Sequence, residues 1–119
     1  MESFCKVTIS LSANAGMGRY TLKYKEFKVI KDTPKTVTVQ KNFGPHRYMK
    51  VDSMKAHSER RNEKLGLLQF FTTCDKKDLD DAVKLLKTTL EERASELVRE
   101  NVLALEALKG DCKLQKITT

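Results

Sequence analysis

From Asp75 to Gly110 the chain holds neither proline nor an internal glycine, and its apolar residues recur with the period of one helix face. The stripe runs Leu79, Val83, Leu86, Leu90, Ala94, Leu97, Asn101, Leu105 and Leu108. Asp75 suits an N-cap, Asp78, Asp80 and Asp81 sit near the positive end of the helix dipole, and Gly110 supplies a stop. About 34 residues at ~1.5 Å each make a rod of roughly 50 Å. A chain of 119 residues has room for one core, so whatever precedes this rod must fold against it as part of the same domain.

What precedes it alternates like β-structure. In Phe4–Leu11, Cys5, Val7, Ile9 and Leu11 point one way while Lys6, Thr8 and Ser10 point the other. The small residues of 12–18 read as a loop. Tyr20–Lys31 changes phase: Tyr20, Leu22 and Tyr24 share one face, yet Phe27 and Val29 fall on the other. That predicts a β-bulge near Lys25-Glu26, or else a strand whose two faces serve different layers. Asp32-Thr33-Pro34-Lys35 is a turn, Thr36–Gln40 a strand, and Arg47–Val51 a short fourth strand. Residues 52–64 read as a charged loop. Leu65–Thr73, apolar on both parities, reads as a central strand covered on both sides.

The expected fold is therefore α+β, one domain over 1–119. A bent antiparallel sheet of four to five strands occupies 1–74, one long helix 75–110, and a tail 111–119.

Past Leu97 the apolar face widens to include Val98, Val102, Leu103, Ala104 and Ala107, more than one sheet covers. Either the helix breaks near Glu91–Glu96 into a hairpin, or its far half packs on another copy. The second reading predicts a homo-oligomer of even number. Its interface would be Leu97, Asn101, Leu105 and Leu108, with Asn101 setting register.

Charge is divided unevenly. Residues 1–64 carry 14 Lys/Arg against 6 Asp/Glu, and residues 65–119 carry 9 against 10. An anionic partner should therefore meet the sheet end. No apolar run reaches the ~20 residues of a membrane span, the N-terminal residues lack the pattern of a secretory signal, and three widely spaced cysteines oppose a disulfide framework. These point to the cytoplasm.

Catalytic signatures are missing from the sequence. His46 and His57 lie in loop-like stretches with no carboxylate or cysteine at triad or metal spacing, and Gly16-Met17-Gly18 lacks the later glycine of a phosphate loop. No catalytic residue, metal or cofactor is expected. Binding is the better reading: lysines and arginines of residues 19–50 interleave with Tyr20, Tyr24, Phe43 and Tyr48, the residue types that pair phosphates and stack bases. The same lysines would also keep a sheet's wet face soluble. The candidate ligand-binding residues are Arg47, Tyr48, Lys50, Arg60 and Arg61, with Tyr24 as a stacking surface.

The run from Tyr24 to Val39, with its strand, Asp32-Thr33-Pro34-Lys35 turn and returning strand, resembles the opening of small phage and mobile-element accessory proteins. In outline the chain is similar to the phage Thoeris anti-defence sponges. That resemblance implies an oligomeric, non-enzymatic protein that traps a signalling nucleotide between subunits, or one that blocks a host defence protein. A nucleic-acid-binding protein using the basic sheet face is the alternative, and an adaptor acting only through its helix a third.

Overall fold

The computed structural model describes residues 1–14, 17–58 and 67–108, with side chains for 1–12, 21–58 and 67–99. The α+β class is as expected, but the antiparallel sheet has six strands. They are β1 (Ser3–Asn14), β2 (Met17–Asp32), β3 (Thr36–Lys41), β4 (Gly44–Met49), β5 (His57–Ser58) and β6 (Leu67–Asp75), in the order β4-β3-β2-β1-β6-β5. The helix α1 (Leu79–Leu108) closes the described fold.

The residues expected to form a loop at 12–18 instead extend both strands, down to the pair Asn14↔Met17. Small polar residues carry no alternation signal, yet nothing in them opposes extended pairing. Residues 52–64 are likewise not all loop. After a 3-10 turn at Lys50–Asp52, His57 and Ser58 pair with Phe71 and Phe70 to form β5. Two residues have no period of their own; this strand exists because β6 offers it an edge. Between β3 and β4, Gly44 takes φ +113°, a conformation that side-chain-bearing residues rarely adopt.

The expected bulge at Lys25-Glu26 is not there. Pairing of β1 with β2 runs unbroken from Ser3↔Lys28 to Asn14↔Met17. Only one side of the strand is covered: Phe27 and Val29 pack on the smaller core, whereas Leu22 and Tyr24, on the helix side, are exposed, so the change of phase marks no second layer on β2. The pairing does shift register further on, between Val29 and Lys31, where β2 leaves β1 and takes β3 as its neighbour.

The larger core lies under the helix. Cys5, Val7 and Ile9 of β1 and Leu68, Phe70 and Cys74 of β6 are buried against Ala82, Leu86, Leu90 and Leu97. The helix stripe thus meets the sheet as its spacing required, and α1 continues through Glu91–Glu96 without a break, which removes the helical-hairpin alternative. Asp75 begins the turn into it: its Oδ1 accepts from the Lys77 amide at 3.3 Å at the head of a 3-10 turn that leads into α1. Leu97, expected at an interface between copies, is buried in this chain's own core. Asn101, Leu105 and Leu108 lie on the helix backbone beyond it, with side chains outside the described residues, as is Gly110.

The smaller core lies on the opposite side of the sheet. Phe4, of opposite parity to Cys5, is buried with Val37 and Val39, and Phe27, Val29 and Tyr48 pack on them. In a flat sheet β1 and β4 stand about 14 Å apart. The rings of Phe4 and Tyr48 nevertheless lie 5.4 Å apart. The sheet therefore curls toward this side, with the β3–β4 hairpin folded inward.

Two polar features sit in the larger core. Cys5 and Cys74 are paired across β1 and β6, both as free thiols, and burial pushes Cys74 up to about 12. Neither thiol is available as a thiolate at neutral pH. Thr72, opposite Val7, buries its Oγ1 without a hydrogen-bond partner among the described residues. Thr72→Val keeps the shape and removes that unmet hydroxyl, so it should stabilise the fold by about 1 kcal/mol. An upward shift of the equilibrium urea midpoint with unchanged slope is the expected readout.

Candidate anion-binding face

The curl makes the sheet side away from α1 concave, and strand alternation decides what lines it. From β1 it receives Phe4, Lys6 and Thr8, and from β2 Lys23, Lys25 and Phe27. Lys41, His46 and Tyr48 come from the β3–β4 hairpin, and Phe71 from β6.

Lysine ammonium groups stand over aromatic rings at two places on this side. Lys6 Nζ is 4.6 Å from the centre of the Phe71 ring. Lys41 Nζ lies between two rings, 5.1 Å from Phe27 and 4.8 Å from Tyr48. His46 meets Tyr48 edge-on at 4.5 Å, and His57 lies 5.3 Å from Phe71. Each group combines a cation with a ring; a base would stack there by displacing the flexible lysine, whose ammonium then turns to the phosphate.

The face is also poor in counter-charge. Its strand positions in β1 to β4 include one acid, Asp32, which the register shift turns to this side and which pairs with Lys50. That lysine holds the Asp32 carboxyl below the usual carboxylate range. Glu26 is on the helix side, bound to Lys76 at 3.1 Å. Asp75 is taken up by the turn before α1. Lys23, Lys25 and Lys41 have no carboxylate partner among the described residues. Lys6 and Lys25 are moreover direct cross-strand neighbours, which concentrates positive charge at this point of the face.

The electrostatics register at His46. Its pKa is lowered from the ordinary value, first by partial burial and then by Lys41 and Lys6. A bound anion would offset the lysines and raise that pKa, so binding would take up a proton. Affinity for a phosphate-bearing ligand should therefore rise as pH falls from neutral through the ordinary histidine range. His46→Gln should flatten that dependence, as read by binding titrations across pH.

The residues singled out from sequence separate. Tyr48 is on the concave side, half-buried beside Lys41. Arg47, its strand neighbour, is on the reverse of the hairpin. Lys50 is engaged with Asp32 at the hairpin's base. Tyr24 pairs with Val7 and so stands on the helix side, exposed. Arg60 and Arg61 lie outside the described residues.

Sequence reasoning passed over Lys6, Lys41, His46 and Phe71 as parts of a site. Parity could have placed Lys6 with Lys23 and Lys25. Nothing local could have brought Lys41 over Phe27, because the curl of the sheet does that.

Among the described residues, no group of three or more His, Cys, Asp or Glu is arranged to hold a metal ion, and no helix is long and apolar enough to cross a membrane. No protein-family model matches this chain, and no curated protein or solved structure shows significant similarity to it.

Proposed function

We propose that this is a non-enzymatic binding protein whose concave, lysine-rich sheet face holds single-stranded nucleic acid. The observation that carries the reading is the pair of lysine–aromatic groups on one acid-poor face. One sits at Phe71, opposite Thr8; the other at Phe27, opposite Phe4. They are two strands and four residues of register apart, so they would receive two bases rather than one. On β2, Lys25 falls between their register positions and Lys23 stands level with Phe71, both available to phosphates. Stacking on ring faces tolerates any base, so the binding would be weakly sequence-selective.

The test is anisotropy of a labelled single-stranded oligonucleotide titrated at several salt concentrations. Three phosphate contacts, from Lys23, Lys25 and Lys41, should give a slope of log affinity against log salt near −2, at roughly −0.7 per contact. No binding at low salt would end the proposal.

A second reading has its own support in the grouping of Lys41, Phe27, Tyr48 and His46 at one corner, which suits a single small nucleotide. In the phage setting that the sequence resemblance suggests, such a protein would sequester a host signal. Tight binding of a mononucleotide with a nearly flat salt slope would favour it over the first.

A further inference from the structure

The helix-side face of the sheet is only partly roofed. The helix covers β1 and β6, and the Lys76–Glu26 ion pair marks where its cover ends along β2. Beyond that line, on the same side, Leu22, Tyr24, Ile30 and Met49 are 38–55% exposed. Register puts Lys28, Lys31 and Arg47 on this open side as well. None of the three has a carboxylate partner among the described residues.

The helix, in turn, is longer than what it covers. Leu79 to Leu97 rises about 27 Å, which matches the span of nine-residue β6. A further 11 residues of α1, 98–108, continue for about 16 Å. Their sequence is apolar at Val98, Val102, Leu103, Ala104, Leu105, Ala107 and Leu108, and Val98 is half exposed. Within 98–108 two glutamates stand against one arginine, a balance of −1 opposite in sign to the +3 of Lys28, Lys31 and Arg47. The helix end is thus apolar and slightly acidic in sequence, and the open sheet face apolar and basic. The radius of gyration of 19.8 Å, against roughly 13–14 Å for a rounded domain of this length, agrees with a helix reaching past its own sheet.

We propose that the partner is a second copy of this chain: the 98–108 segment of each helix docks on the open β2–β4 side of the other, in a two-fold dimer. Such a contact is reciprocal, so it closes without leaving a spare surface. It differs from a helix-to-helix seam because it requires the sheet residue Ile30.

Sedimentation velocity and a complementation test decide it. Wild-type protein should sediment at twice the chain mass. Ile30→Asp and Val98→Asp should each sediment as monomers with unchanged far-ultraviolet circular dichroism and cooperative melting. Mixed together, the two variants should recover the dimer, because one of the two reciprocal docking sites then joins an intact helix to an intact sheet. Wild-type protein that stays monomeric at the highest soluble concentration would overturn the proposal. So would an Ile30→Asp protein that remains dimeric, or a mixture that fails to reassociate while both variants remain folded.

Discussion

A protein carrying both Lys25→Glu and Lys41→Glu should bind a single-stranded oligonucleotide roughly 100-fold more weakly than wild type at ~50 mM salt. Removing one lysine–phosphate ion pair forfeits about tenfold in affinity under those conditions through counterion release, and charge reversal adds repulsion. The two lysines sit at different parts of the face, one on β2 beside Lys6 and one on the hairpin over Phe27 and Tyr48. Their effects should therefore add on a free-energy scale. Lys25 is exposed and Lys41 partly so, and neither has an acidic partner among the described residues, so the fold should tolerate both changes. The informative control is Lys84→Glu with Lys87→Glu, an equal change of net charge at exposed positions of α1 outside both proposed surfaces. Unchanged affinity in the first double variant, or an equal drop in the control, would mean that binding follows overall charge and not this face.

Leu86→Ala should be the most damaging single truncation of the helix, lowering stability by about 2–5 kcal/mol out of a total of roughly 5–15 kcal/mol. Leu86 is fully buried in the middle of the helix stripe, in the core built from both β1 and β6. Truncating it leaves a cavity between rigid layers that cannot collapse onto it. A fall in melting temperature on the order of 10 °C is expected, with a matching drop in the urea midpoint. Leu79, at the helix start, is only partly buried, and its truncation should cost distinctly less. If Leu86→Ala proved no worse than Leu79→Ala, the helix would not be seated as described.

The helix and its buried face were legible because a 3.6-residue period sustained from Leu79 to Leu97 has few competing interpretations. The change of side along β2 was legible too, since Phe27 and Tyr24 cannot share a side, although only the Phe27 side is covered. Less visible were elements that arise from long-range pairing. The two residues of β5 respond to the edge of β6, and the small residues before Asn14 extend β1 because Met17 and its successors lie opposite. The face was the hardest to see. Parity alone separates Tyr24 from Lys25, so Tyr24 could have been withdrawn from the lysine set on sequence grounds. The meeting of Lys41 with Phe27 and Tyr48 depends on how far the sheet curls, and curl has no local signature.

Above Val29 the hairpin is tied to the rest of the molecule by its pairing with β2, by Phe4 in the smaller core, and by the pair of Asp32 with the N-terminal ammonium. Just beyond it, the Met54 amide donates to the Thr73 carbonyl oxygen of β6. The slab backed by α1 has its own, larger interior, and Met54 and Ala56, which follow the hairpin in the chain, pack against it. The hairpin is thus seated on a closed core and anchored on both sides of it, so the curl that brings Lys41 to Phe27 and Tyr48 is in place before any ligand arrives. A surface shaped in advance in this way gives up less conformational entropy on binding than one that must fold around its guest.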